Sequence, residues 1–328
     1  MSLPILAIMV ILIIYPEVYL PAVIEGLKIW LFCVVPSLFP FFFLTAFLTK
    51  LGAAQKISGA FDKITLKMFN CRGISAYVFL ISAMSGYPVG ARLISDLYKE
   101  KQLTSAECTR MSAFCSTSGP LFIIGSIGTG MLLDKSLGLI IFISHILSAI
   151  LCGFIFKGYK SRPAANAAPL ERGTDTSRAP RFTPNETGTK SADNILGESV
   201  YSSVISILCV GGFISLFYTF SEMLVSFKIF TPLTYLFYLI SGDKHILNTL
   251  LQGIVEMSRG CILLSQTLPA KTAACFISAL ISFGGLSVNL QAASYLKNCG
   301  SDIKIYFLSK TLQAVICFIL CSVIISFF

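Results

Sequence analysis

Two stretches, Ser85-Gly86-Tyr87-Pro88-Val89-Gly90 and Cys115-Ser116-Thr117-Ser118-Gly119-Pro120, place helix breakers inside long apolar segments. A backbone amide freed in lipid finds no water, so Gly and Pro at that depth are tolerated only inside protein or beside a water-filled cavity. Transporters build solute sites at such broken helices. The pattern predicts a chain that spans a membrane and encloses irregular backbone, and it favours a transporter over a membrane-anchored enzyme.

Composition agrees. Of 328 residues, 55% are hydrophobic and 12% charged, against roughly 25% charged in soluble domains. The runs Ile29–Leu48, Ile74–Met84, Leu137–Phe156, Val200–Phe220 and Phe307–Phe328 reach or approach the roughly 20 apolar residues of a spanning helix. The expected fold is an all-α polytopic membrane protein with two inverted repeats and re-entrant or broken helices. A net charge of +9 fits basic loops gathered on one side of the membrane, and no aromatic-basic module points to nucleic acid. The eleven cysteines are scattered without a C-x-x-C pair and behave as small hydrophobes. His145 and His245 lack a metal-ligand pattern, and His145 reads as a packed helix residue. No metal or cofactor is expected; a coupling ion, H+ or Na+, is left open.

Four parts are expected: an N-terminal transmembrane helix at 1–24, a first membrane repeat at 25–157, a linker at 158–196 and a second repeat at 197–328. The linker, rich in Pro, Ala, Thr, Asn and charge, reads as disordered. In the proposed repeat, Ile81-Ser-Ala-Met84 matches Ile277-Ser-Ala-Leu280, and Thr104 and Ser301 each precede a helix. Thr104-Ser-Ala-Glu107 reads as a capping box. Lys50, Lys56, Lys63, Lys67 and Arg72, like the basic linker, should be cytoplasmic. Three full crossings between them would put them on opposite sides. A re-entrant hairpin over Ile74–Tyr98, turning at Ser85–Gly90, removes the conflict. By the same logic Ala273–Leu296 would be a hairpin from the other face, with both termini cytoplasmic; Phe230–Leu268 stays ambiguous.

Candidate solute-binding residues follow from the breaks. Gly86 and Gly90 allow close backbone approach, Pro88 removes a donor, Ser85 and Tyr87 supply hydroxyls, and Arg92 adds a cation. Ser116, Thr117 and Ser118 precede Gly119 and Pro120, where freed amides suit an anion. Arg110 and Arg259 lie beside apolar sequence, with Glu256 three residues before Arg259 and able to pair on one helix face. Ser282, Gly284, Gly285, Asn289 and Gln291 surround the later break. Glu25 and Glu198 open corresponding helices. No His-Glu-x-x-His, Walker or Gly-x-Ser-x-Gly pattern occurs, so no enzyme is expected.

Glu25-Gly-x-x-x-Trp30, Pro36-Ser-Leu-Phe-Pro40, Ser85 to Arg92, Cys115 to Phe122 and Gly253-Ile-Val-Glu256 resemble the sporulation integral membrane protein family of endospore-forming bacteria, which carries the nucleoside-recognition, or Gate, domain. The resemblance implies an inner-membrane protein with inverted repeats and hairpins, like the concentrative nucleoside transporters. It also implies a role in late spore formation at the membrane surrounding the forespore, where the family is linked to moving dipicolinate. Met257-Ser258-Arg259-Gly260 departs from the family by placing a cation after the motif glutamate. The arginines favour a small organic anion such as dipicolinate. A nucleoside carrier and a non-transporting scaffold for spore envelope assembly are the alternatives. Partners expected are the anionic solute, the lipid bilayer, and a second copy or other sporulation membrane proteins.

Overall fold

The computed structural model describes residues 2–160, 192–241 and 245–328; most of the expected linker lies outside them. All regular elements among the described residues are helical. In chain order they are α1 (Ser2–Ile14), α2 (Pro16–Ile29), a π-helical turn (Trp30–Val34), α3 (Val35–Lys50), α4 (Ala53–Phe69), α5 (Ile74–Ser85), α6 (Val89–Lys99), α7 (Ser105–Ser112), a π-helix (Leu121–Met131) and α8 (Lys135–Phe156). Then come α9 (Ala192–Ser226), α10 (Thr231–Ser241), α11 (His245–Val255), α12 (Met257–Thr267), α13 (Ala270–Phe283), α14 (Gly285–Lys297) and α15 (Ile303–Ser326).

The first boundary differs from the expected 1–24 helix. Tyr15 leaves helical geometry at φ −123°, and Pro16 starts α2 at the position where a missing amide costs nothing. From there an apolar span runs unbroken to Lys50, so Glu25 opens no helix; it lies within α2, 2.7 Å from Lys28. Antiparallel α9 packs along this span. Lys50 meets Glu198 at 2.8 Å, and Trp30 Nε1 donates to Ile207 O at 2.9 Å.

Helix α4 carries Lys56, Lys63 and Lys67 beside exposed Phe61 and Ile64. It meets α5 at 89°, the posture of a helix lying along a membrane surface. Helices α5 and α6 then form hairpin 1, as expected. Its base closes where Arg72 Nε and Nη2 each donate to the Glu107 carboxylate at 2.9 Å. Glu107 also completes the expected capping box with Thr104.

The second half departs from expectation at the hairpin. Ala270–Lys297 is one span, interrupted at Phe283–Gly285; Gly284 N still bonds to Leu280 O at 2.8 Å, which keeps α14 running on from α13. Hairpin 2 is instead α11–α12, inside the ambiguous stretch. One extended residue, Glu256 (φ −135°, ψ 111°), turns the chain. Gly253 and Gly260 let the arms touch: a Cβ on Gly260 would lie 2.3 Å from Gly253 Cα. Each half therefore follows one order: hairpin, broken span (α7 with the π-helix Leu121–Met131, then α13–α14) and unbroken span (α8, then α15). The Ser282–Ser287 break is thus an interruption within a span and not a hairpin turn. Asp302, not Ser301, caps α15.

Basic side chains gather at one end of the bundle. There Arg110 Nη1 donates to Tyr159 O at 2.9 Å, Tyr159 OH to Asp302 at 2.9 Å, and Asp302 N to Thr109 Oγ1 at 3.0 Å. Helix α15 leaves this end antiparallel to α8, with Cys152 Sγ 3.6 Å from Ser309 O and Cys321 Sγ 3.8 Å from Ala274 O. The end of α15 therefore lies at the end of the bundle opposite the Lys157 turn. An impermeant thiol reagent should label Lys99→Cys and Lys157→Cys from the same membrane face and Lys271→Cys from the other, in a background with accessible thiols blocked. Labelling of Lys99→Cys and Lys157→Cys from opposite faces would exclude hairpin 1.

Candidate functional site

Both hairpin tips meet the broken span of their own half through bare backbone. Gly86, at φ +84°, would put a Cβ 2.9 Å from Gly119 N; Gly285, at φ +68°, would put one 2.9 Å from Met257 N. Tyr87 carries the contact across the halves, donating to Ile281 O at 3.3 Å. Non-helical backbone from four segments thus lies together in the protein interior, where its polar groups must find partners.

Side chains supply many of them. Ser82 Oγ accepts from Thr117 N at 3.2 Å, and Ser85 bonds to Thr45. His145 of α8 accepts from Ser118 N at Nε2 (2.9 Å), so its Nδ1–H donates to Ser282 Oγ at 2.8 Å. Asn289 donates to Phe283 O at 2.8 Å and accepts from Tyr306 OH at 2.9 Å. Lys310 of α15 donates to Ser116 O, to Gln313 Oε1 at 2.7 Å and to Tyr87 OH at 3.3 Å. One freed amide expected to face an anion, Ser118 N, is therefore already taken. Within Ser116–Ser118, the Thr117 hydroxyl and the Ser116 carbonyl support the break itself.

A void of about 40 Å³ remains between the hairpin tips, lined by Leu38, Tyr87, Ser118, Glu256, Ser287 and Gln291 among others. That is room for a few waters. Three buried polar atoms of its lining residues have no partner: Glu256 Oε1, Ser287 Oγ and Gln291 Nε2. Native interiors leave few such atoms, each at a cost of about 1–3 kcal/mol. From the basic end a vestibule of about 370 Å³ reaches inward past Lys50, Lys99, Arg92 and Asp96 to Phe42, Thr45 and Val89. Leu38 faces the void and Phe42 the vestibule, one turn of α3 apart.

The three arginines do not converge. Arg92 lies in the vestibule, donating to Ser206 Oγ at 2.5 Å and Ser202 Oγ at 3.0 Å. Arg110 is at the basic end on Tyr159 O. Arg259 bonds to Gln252 at 2.8 Å and Glu222 at 2.5 Å. Glu256 does not ion-pair with it but caps α12, accepting from Arg259 N at 2.7 Å. Tyr87, Ser118, Glu256, Ser282, Gly285 and Asn289 do come together, as do Gly86, Gly119 and, through Cys115 O, Gly90. Pro88 and Pro120 start α6 and the π-helix Leu121–Met131. Lys310, Tyr306, Gln313 and Ser287 were not anticipated. A lysine inside the apolar run Ile303–Phe328 was the signal, because ionisable residues within spanning helices are rare and usually functional. Among the described residues no three His, Cys, Asp or Glu side chains stand together as a metal site.

These features define a polytopic α-helical membrane protein whose two hairpins meet their broken spans at a polar core. Comparison with known proteins agrees with the resemblance read from the motifs. Residues 31–130, which hold hairpin 1 and its broken span, match the family described as Gate, nucleoside recognition. The chain is similar to the sporulation integral membrane protein YlbJ of Bacillus subtilis (strain 168), 28% identical over 319 residues, covering 92% of this chain and 76% of that protein. No solved structure matches.

Proposed function

We propose that this protein is a transporter or facilitator that moves a small organic anion, dipicolinate foremost, across the membrane surrounding the forespore. The unpartnered Glu256, Ser287 and Gln291 atoms around the void between the hairpin tips carry the transport reading, since buried orphan atoms beside broken helices suit a solute that comes and goes. The basic vestibule with Arg92 and the enclosed Lys310 favour an anion, and the likeness to a sporulation membrane protein favours a spore-forming context. At about 40 Å³ the void has room only for a few waters; hairpin 1 would have to swing away from Leu38 for a solute to enter. The shared order of hairpin, broken span and unbroken span supports reading the two halves as inverted repeats.

A neutral nucleoside is the second reading, and Glu256 favours it, because a carboxylate accepts from ribose hydroxyls and repels an anion. Uptake of radiolabelled dipicolinate and uridine into proteoliposomes decides between them. Arg92→Ala should cut dipicolinate uptake at least about tenfold, the value of one charge-assisted hydrogen bond, and leave uridine unaffected. Dipicolinate uptake unchanged in that variant would overturn the anion reading, and binding of neither solute would leave the scaffold reading.

A further inference from the structure

Lys310 is fully enclosed, yet among the described residues it makes no ion pair. Its three N–H bonds go to a backbone carbonyl (Ser116), a side-chain amide (Gln313) and a phenol (Tyr87), with the Tyr87 ring centroid 5.2 Å away. An ammonium has three donors and all are spent. Unwound carbonyl and neutral oxygen ligands are also what a coupling cation takes in a broken-helix carrier. The three acceptors belong to hairpin 1, the first broken span and α15, so this one group joins the parts that must separate if hairpin 1 is to move.

We propose that Lys310 is the protein's resident coupling cation: its proton, rather than an alkali ion from solution, is exchanged as solute moves. The inference rests on the transport reading above. Release of the proton to a nearby water leaves an amine with two N–H groups, so one of the three oxygens loses its donor and hairpin 1 is loosened. Regaining a proton restores the third bond and closes it. A buried charge without a counter-ion costs several kcal/mol, which the three oxygens offset only while the core is assembled. The titratable groups around the ammonium are Tyr87 of hairpin 1, Cys115 of the first break, His145 and Cys152 of α8 and Tyr306 of α15; none is a carboxylate. Glu256 shares the void with Tyr87.

The test uses the full chain in proteoliposomes with radiolabelled dipicolinate and uridine, in sodium-free and potassium-free buffer, while an entrapped dye reports internal pH. Wild type should take up solute at full rate without alkali ions, and an imposed proton gradient should change the rate at least about fivefold. Lys310→Met should lose that response while its thermal unfolding in detergent, without solute, still reports a folded protein. Gln313→Leu, which removes one acceptor and keeps the charge, should shift the pH midpoint of uptake. Strict dependence on sodium, or an intact proton response in Lys310→Met, overturns the proposal and leaves the transport reading standing. A Lys310→Met protein that fails to fold passes the decision to Gln313→Leu, whose unshifted midpoint also overturns it. Binding of neither solute by wild type overturns both.

Discussion

Gly90→Ala should abolish most folded protein. A Cβ at this position would lie 1.7 Å from Cys115 O and 2.7 Å from Ser82 Oγ. The first contact is with backbone, so no rotamer change relieves it. Hairpin 1 would have to separate from the first broken span, unpairing Thr117 N from Ser82 and disturbing the Ser118–His145 bond. Overpacking of this kind costs about 3 kcal/mol or more, a large part of the roughly 5–15 kcal/mol that holds a protein together. Membrane-inserted yield and thermal unfolding in detergent check it. Gly59→Ala is the control, because nothing lies within 4 Å of a Cβ there and alanine favours an exposed helix by up to about 1 kcal/mol. A Gly90→Ala protein with wild-type yield and unfolding temperature would mean that hairpin and break do not touch as described.

Glu256→Gln should separate the two jobs of one residue. Oε2 caps α12 through Arg259 N, while Oε1 is without a partner beside the void. Glutamine keeps an oxygen for the cap, so stability should fall by less than about 1 kcal/mol. The orphan acceptor becomes a donor alongside the Gln291 donor, and a solute hydroxyl or amine that needed an acceptor loses it. Binding of such a solute should weaken at least about tenfold, or 1.4 kcal/mol. Glu256→Ala should lose both the cap and the binding. For an anionic solute the sign reverses: Glu256→Gln removes a repelling charge, so dipicolinate binding should hold or tighten. The variant therefore reports the charge of the solute as well as its site.

Much of this architecture is legible along the chain. The breaks expected at Ser85–Gly90 and Cys115–Pro120 are there, and α5 and α6 fold back on each other across the first of them. The Thr104–Glu107 capping box forms as read. The second hairpin is not legible in the same way, because Gly284-Gly285 is a stronger turn signal than Val255-Glu256-Met257. Gly284 and Gly285 interrupt a span without reversing it, while the Gly253–Gly260 contact that lets two helices run side by side has no local signature. Arg92, Arg110 and Arg259 are alike as charges in an apolar chain, but each has partners of its own. The side chains that assemble the core, Lys310, Tyr306 and His145, belong to α15 and α8, far in sequence from the first breaks they support.

Apolar length, breaker residues and the distribution of Lys and Arg are properties of neighbours along the chain. They are enough to make this a polytopic helical membrane protein with backbone broken at depth, because lipid leaves an unpaired amide no other outlet. Which breaks reverse the chain, which oxygens receive the Lys310 ammonium and which atoms are left unpaired around the void depend on segments separated by a hundred residues or more. Those were settled only when packing brought the segments within hydrogen-bonding distance, since the energy of a polar group in a membrane protein is set by what lies beside it in space.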